Sequence, residues 1–583
     1  MEFRRDARLA VAAFSAVLWL ACSSGGTGGL GGVSGSGGIS SNGGAAISAG
    51  GAAGSTPSAS GGNGAAGGVA TSGGASTAAG GNSAGGSVAS GGAVDSGGAR
   101  ASGGVLAGGG VVSTGGAHVG GATGTGGGAA GVASTGGNSG TGGSAKGTGG
   151  ACGAGDSNLP AEPTIPPACT TLNATQNVAV SALPSESSLD TAAIQSALNS
   201  CGSGKAVKLA TSGSSNAFIT GPLTIPSGVS LWVDSGVTLY ATRDPSVWGS
   251  AAALISIAGA GSGIVGDGVI NGQGGEPNIG SSQSWWDQNA GSSGNSPALI
   301  SVRGASNFTL YRITLHDSPK FHVKLGADGF VVWGVTIKAP SKATNSVGTA
   351  LSYSNAHNTD GIDPGEAASN GTIACSKIST GDDHIAIKGS SSTGVSHLTI
   401  AHNRFGAGHG MSIGSEFTGG VSDVNVYDLS IDGQGMGTSG GSSNGIRIKS
   451  DSSRGGLVDN VTYSDVCVRN LSNPIYLTPL YSTATGSSIP QYTNIKIRNF
   501  HGLAGGSNKP TVTLDCYDSS HLNSVTLDNV VIDGSPTVNA SYTKVTLGPG
   551  DVNFTPSGTG VTVTSAISGS STTNPCTDKW TTF

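Results

Sequence analysis

Three short phrases place carboxylates and an imidazole where they could handle protons: Asn358-Thr359-Asp360-Gly361-Ile362-Asp363, Gly381-Asp382-Asp383-His384 and Gly408-His409-Gly410. A fourth phrase, Arg447-Ile448-Lys449-Ser450, adds two cations. If Asp360, Asp382 and Asp383 meet, repulsion raises the pKa of one of them, leaving a protonated acid beside ionised bases, the combination that glycosidic hydrolysis needs. Clustered carboxylates could equally hold calcium, as a lyase would require. A lone Asn-x-Asp-Gly is also an ordinary turn. Neighbouring acids such as Asp382 and Asp383 point to opposite faces of a strand unless the strand ends or bends there. His409, between two glycines, is either a turn residue or a group that a ligand approaches closely. Arg447 and Lys449, two apart, share a strand face, which could be solvated or could hold a substrate carboxylate.

The spacing of the phrases predicts how they are positioned. Asp360 to Asp383 is 383 − 360 = 23 residues and Asp383 to His409 is 409 − 383 = 26, about one coil of a parallel β-helix. On that reading the phrases stack as neighbours about 4.8 Å apart. Short β-rich runs recur along the chain at Phe308-Thr309-Leu310-Tyr311, Gly371-Thr372-Ile373-Ala374, His397-Leu398-Thr399-Ile400, Asp423-Val424-Asn425-Val426 and Asn494-Ile495-Lys496-Ile497. A β-sandwich has similar strand density; the irregular repeat, with polar phrases returning once per repeat, favours a helix of strands. Before the runs, Asp190 to Cys201 carries Ala193, Ile194, Ala197, Leu198 and Cys201 at helical spacing behind a candidate Asp190 cap, which predicts a short helix covering the open first coil. Gly261-Ser262-Gly263-Ile264-Val265-Gly266 matches a dinucleotide fingerprint, but Asp267 to Gly274 cannot open the helix that fingerprint requires.

The four phrases, in this order, resemble the hallmark motifs of the polygalacturonases, the family 28 glycoside hydrolases that cut pectin, and are most similar to its bacterial branch. The resemblance runs from about Thr164 to the C-terminus and is densest between Ser318 and Tyr481. It implies an all-β fold, a right-handed single-stranded parallel β-helix, that hydrolyses α-1,4 bonds between galacturonate units with inversion and without a metal or other cofactor. Asp382 would be the general acid, Asp360 and Asp383 would activate water, and His409 would tune the acid. Arg447, Lys449 and Tyr481 would contact substrate, with endo action the expected mode. The chain departs from the pattern at His384, where the family has Asn or Cys, and at Asn345 to Ala356, which resembles an insertion. The alternatives are a hydrolase of a related pectic backbone such as rhamnogalacturonan, an exo-acting enzyme, or a non-catalytic polysaccharide-binding adhesin. An adhesin would have no need of the intact acid, imidazole and cation set.

The rest of the chain bounds its setting. Arg4, Arg5 and Arg8 precede an apolar run from Leu9 to Ala21 that ends at Cys22, so residues 1–22 read as an export signal of lipoprotein type. Residues 23–155 are Gly/Ser/Ala-rich, with Asp95, Arg100 and Lys146 the charged residues between Ser23 and Gly150 and no aromatic residue between Trp19 and Phe218. Such a segment cannot offset its ordering entropy and is expected to be a disordered tether, with residues 156–583 as the catalytic domain. Treated as a coil of roughly 130 residues, it spans about 60 Å. Eight cysteines leave seven if Cys22 is lipidated, so at least one is free or pairs elsewhere, and Cys169 with Cys201 is the favoured disulfide. The net charge of −6 argues against nucleic acid as a partner. The expected state is a monomer, secreted or held at the cell surface through Cys22.

Overall fold

The computed structural model describes residues 152–290, 294–390, 392–434, 443–504, 509–565, 574–577 and 579–580. The export signal, Cys22 and nearly all of the expected tether lie outside these residues. The chain winds as a right-handed β-helix, the hand that parallel crossovers take. Its strands stack in three ladders whose strand pairings are all parallel. The first ladder begins at Ala168–Asn173 and ends at Thr562–Ser565. A second begins at Ala217–Thr220 and merges with the first in long strands such as Val421–Asp432, which pairs with both Val395–Ala401 and Arg404–Phe405.

The third ladder holds the strands that follow or contain the four candidate phrases. It includes Val323–Asp328, Ile362–Pro364, Ile385–Ile387, Met411–Gly414, Asn444–Lys449, Asn473–Thr478 and Thr511–Asp515. Its register aligns Val323, Ile362, Ile385, Met411, Ile446, Ile475 and Val512 in one column, and all of these are fully buried. Because strand side chains alternate, fixing this apolar column inside forces the residues one and three places later to face outward. The outward set includes Asp363, Lys388, Ser412, Arg447, Lys449 and Tyr476. Truncating one member of the inner column, as in Ile385→Ala, removes buried methyl groups and leaves a cavity, at a cost of about 2–5 kcal/mol.

The first coil is covered by a helix at Thr191–Ser200, which buries Ile194 and Leu198. Its Gln195 amide bonds both the N–H and the C=O of Thr224 at the edge of the third ladder. Asp190 occupies the N-cap position but makes no side-chain cap bond. Its carboxylate instead accepts the Ile219 N–H at 2.9 Å, so the anticipated cap residue ties the helix to a strand. Cys169 and Cys201 are bonded as expected. Gly263–Val265 is a strand rather than the start of a helix, in line with the rejected nucleotide motif.

One expected boundary is corrected. Ordered contacts begin before residue 156, because Cys152 is disulfide-bonded to Cys375 across 223 residues of sequence. Asp156 follows at once, accepting from Tyr427 Oη at 2.7 Å and meeting His402 Nε2 at 2.9 Å. At the other terminus Cys467 is bonded to Cys576, and Lys579 pairs with Asp428. Among the described residues the free cysteine is the buried Cys516. A chain shortened to begin at Asp156 loses Cys152 and leaves the Cys375 thiol without its partner. We expect that chain to fold but to unfold at a lower temperature than one beginning at Gly150, since a long-loop disulfide contributes on the order of 2–5 kcal/mol. Equal unfolding midpoints without reductant would show that the clamp adds nothing.

Candidate active site

The register that stacks the core also stacks the acids. Asp360, Asp383, His409 and Asn444 each lie two residues before the apolar column, so the 23- and 26-residue intervals are the coil register itself. The backbone links adjacent coils directly: Gly361 N–H donates to Asp383 O and His409 N–H donates to Asp382 O, both at 2.9 Å. Asp382 and Asp383 precede their strand, which starts at Ile385, and the bend there lets both adjacent acids serve one cleft. Asp383 N–H donates to Asp382 Oδ1 at 2.9 Å, closing that bend.

The three carboxylates have different surroundings. Asp383, 2% exposed, accepts Ser412 Oγ at 2.7 Å and Arg447 at 3.3 Å on Oδ1, and Lys449 Nζ at 2.8 Å on Oδ2. Burial works to raise its pKa, but the Lys449 and Arg447 cations outweigh it and hold the group below the ordinary carboxylate value. Asp382 is likewise opposed by burial and pulled down by His409, whose Nδ1 is 2.9 Å from Asp382 Oδ1. Asp360 goes the other way: burial first, then the Asp382 charge, push it well above the usual value despite Lys388 Nζ at 3.2 Å. Its Oδ1 is buried without a hydrogen-bond partner. One cleft therefore holds an acid that favours its proton beside two that resist it.

Two buried histidines support this arrangement from inside. His384 Nε2 lies 2.9 Å from Gly406 O and 3.0 Å from Ala407 O, while its Nδ1 accepts the Gly410 N–H at 3.2 Å. Burial lowers its pKa to about 4, so the ring is neutral with the proton on Nε2. Stacked on Phe405 at 4.7 Å, it anchors the loop that carries His409. Gly408 must lack a side chain because a Cβ there would sit 2.4 Å from the His384 ring. His322, also lowered to about 4 by burial, meets Asp360 O through Nδ1 at 3.1 Å. The departure at His384 is thus a positioning group for the next coil.

The segment from Asn345 to Ala356, read from sequence as resembling an insertion, packs behind the acid turn and does not line the cleft. Ser346 N–H donates to Glu276, Leu351 packs with Trp286, and the carbonyls of Tyr353 and Ala356 close against Gly381, where a Cβ would lie 2.5 and 2.3 Å away. The open cleft is lined by Asp360, Asp382, Asp383, Lys449 and Tyr481 together with Phe321, Asn358, Lys388 and Glu416. His409 flanks it through Asp382, and Arg447 stands behind with its guanidinium carbon 5.3 Å from the Tyr481 ring centre. Lys449 is 5.1 Å from the same ring.

A comparison with protein families matches residues 201–549 to glycosyl hydrolases family 28. The chain belongs to that family. It is 39% identical over 472 residues to a polygalacturonase of Ralstonia nicotianae, spanning 71% of this chain and 88% of that protein. It is 40% identical over 406 residues to an endo-polygalacturonase of Pectobacterium carotovorum subsp. carotovorum, spanning 66% of this chain and 91% of that one. Among solved structures, the polygalacturonase from Erwinia carotovora ssp. carotovora superposes with a TM-score of 0.57 at 37% identity, covering 67% of this chain and 99% of the other.

Within this family 28 cleft the sequence reading missed Lys388, Phe321, Asn358 and Glu416. Lys388 was legible in principle: in Ile385-Ala386-Ile387-Lys388 the alternation that buries both isoleucines turns the lysine outward, as it does Arg447 and Lys449. Donor atoms of Asp382, Asp383 and His409 lie within 4.8 Å of one another, close enough to consider a metal. However, both Asp383 oxygens already face cations, and a calcium ion would meet Lys449 and Arg447 at short range. The donor set does not fit one.

Asp363, in the outward column, pairs with Lys388 at 3.1 Å yet is pushed up to about 6, chiefly by burial. A folded pKa above the unfolded one means the folded state binds the proton more tightly. The stability Asp363 contributes is therefore full below about pH 4 and is lost as pH rises through about 6. Asp363→Asn should flatten the fall of the unfolding midpoint across that window. An unchanged slope would place the titration elsewhere.

Proposed function

We propose that this chain hydrolyses α-1,4 bonds between galacturonate units of demethylated pectin, as an endo-acting enzyme, by single displacement with inversion. The observation that carries this reading is the division of labour among three carboxylates in one cleft. The polygalacturonase and endo-polygalacturonase names of the family relatives support the substrate and the mode. Asp382 is the donor: once protonated, it gives its proton to the glycosidic oxygen from the carboxyl oxygen that is free of the His409 bond. Asp360 and Asp383 orient water; Asp383, held ionised, can take its proton, and Asp360 can do so once it has given up its own. Asp383, with both oxygens bound by Ser412, Arg447 and Lys449, is better suited to hold a water than to attack carbon. Tyr481, beside Arg447 and Lys449, offers a sugar platform next to the cations that would meet a uronate carboxylate.

In the empty cleft the favoured proton site among the carboxylates is Asp360, not the expected donor Asp382. For the proposed roles to operate, the proton passes from Asp360 to Asp382 when substrate fills the cleft, which also frees Asp360 to act on water. Reducing ends should be released from polygalacturonate, initially as the β anomer from α-linked substrate, and Asp382→Asn should remove nearly all turnover while retaining binding. Early-time nuclear magnetic resonance reads the anomer. Initial α product would overturn single displacement, and ultraviolet-absorbing unsaturated ends would reassign the chemistry to a lyase.

For the setting, we propose export and lipid attachment at Cys22, with the catalytic domain acting as a monomer at the cell surface or after secretion. The support is the sequence pattern of residues 1–22. Cys22→Ser should move the protein from the detergent-phase membrane fraction to the soluble exported fraction. Identical partitioning of the two forms would reject lipidation.

A further inference from the structure

The proposed donor and water-handling groups leave three lysines unused. Lys320, Lys324 and Lys388 surround Phe321, with Nζ atoms 5.3, 5.9 and 4.6 Å from the ring centre. Phe321 itself lines the cleft beside Asn358 and Asp360. Lys388 is committed to Asp360 and Asp363. Lys320 is half-buried and donates to Gly294 O at 2.8 Å; Lys324 is exposed and stands opposite Asp363 in register. Among the described residues neither Lys320 nor Lys324 is ion-paired with a carboxylate. Like charges gathered round one ring repel. Burial first, with help from the Lys388 and Lys324 charges, depresses the Lys320 pKa although Asp360 opposes it. An incoming anion would relieve that repulsion, whereas a cluster serving only solubility would spread apart.

Position along the coil axis gives the cluster its meaning. Lys324 belongs to the coil before Asp363, and Arg447 to the coil after Ser412, so the register from Val323 through Ile362, Ile385 and Met411 to Ile446 is four steps. At about 4.8 Å per step the two cationic groups stand roughly 19 Å apart with the acids between them. That separation accommodates several sugar units, and an aromatic ring between ammonium groups matches a sugar face bordered by its carboxylate.

We infer that Lys320, Lys324 and Phe321 form a second uronate-binding subsite on the N-terminal side of the acids, so that the enzyme grips a polyanionic chain on both sides of the bond it cuts. This rests on the proposed pectin-hydrolase reading and adds residues that determine chain-length and charge preference. Lys324→Gln tests it, because Lys324 is exposed and touches none of the proposed reacting groups. On polygalacturonate the variant should show a KM raised roughly three- to tenfold with kcat little changed, and a shallower dependence of KM on salt. It should also shift the product-length distribution from a defined galacturonate oligomer, which a merely structural role would not do. Lys324→Arg should restore both properties. Phe321→Ala provides an independent check, with weaker oligomer binding measured by calorimetry in an Asp382→Asn background. If wild-type protein cleaves polygalacturonate but Lys324→Gln matches it in KM, salt response and product pattern, the subsite is rejected and the hydrolase reading stands. If wild-type protein releases no reducing ends, the hydrolase reading fails and this inference with it.

Discussion

The neutralisation of Asp383 is the constraint on which the cleft depends. Its carboxylate is almost fully enclosed and is held by Ser412, Arg447 and Lys449, which stand on the two following coils. Removing one partner from such a buried set leaves an uncompensated charge, at a cost of several kcal/mol, so the cations cannot be only substrate contacts. They first keep Asp383 ionised, and that charge in turn helps raise Asp360. Arg447 and Lys449, which the sequence offered as a solvated pair or one that could hold a substrate carboxylate, are therefore also counterions of the buried Asp383 beside them.

What places these groups is the apolar column behind them. Ile362, Ile385, Met411 and Ile446 interlock in the core, and a shift of one residue in any coil would turn its isoleucines outward and its charges inward. The hydrophobic register thus sets the electrostatic one. This is why so much was legible: the spacing of Asp360, Asp383 and His409 is a coil length, and coil length follows from which residues must be buried. Strand alternation turns Lys388 outward, but its contact with Asp360 and Asp363 on the preceding coil is announced by no interval in the sequence, and nothing in the sequence singles out Phe321.

The N-terminal boundary was misjudged for a different reason. Composition identifies segments that cannot build a core, and Gly150 to Gly155 belongs to one by that measure. A disulfide needs no core of its own. Cys152 joins Cys375 at a turn beside the first ladder, and Asp156 then bonds His402 and Tyr427, so a segment poor in apolar groups is ordered by one covalent bond and two polar contacts. Pairings of this kind are fixed by proximity in the finished fold and cannot be counted out from spacing.

The two neutral histidines show how a rigid scaffold and a reactive cleft share one wall. His322 and His384 each lie one residue before the apolar column, in a position that Gly361, Gly410 and Gly445 occupy on other coils. Where glycine stands, neighbouring backbones close in: a Cβ on Gly361 would come within 2.4 Å of His384 O, and one on Gly410 within 2.5 Å of Gly445 O. Where histidine stands, its ring fills the space and satisfies backbone groups of the loops that carry Asp360 and His409. Because burial keeps both rings uncharged, they add no net charge beside the cleft. The protonation states of Asp360, Asp382 and Asp383 are then governed by burial, by the cations that touch them and by one another, which leaves the outer face free to respond to the charge of a bound polymer.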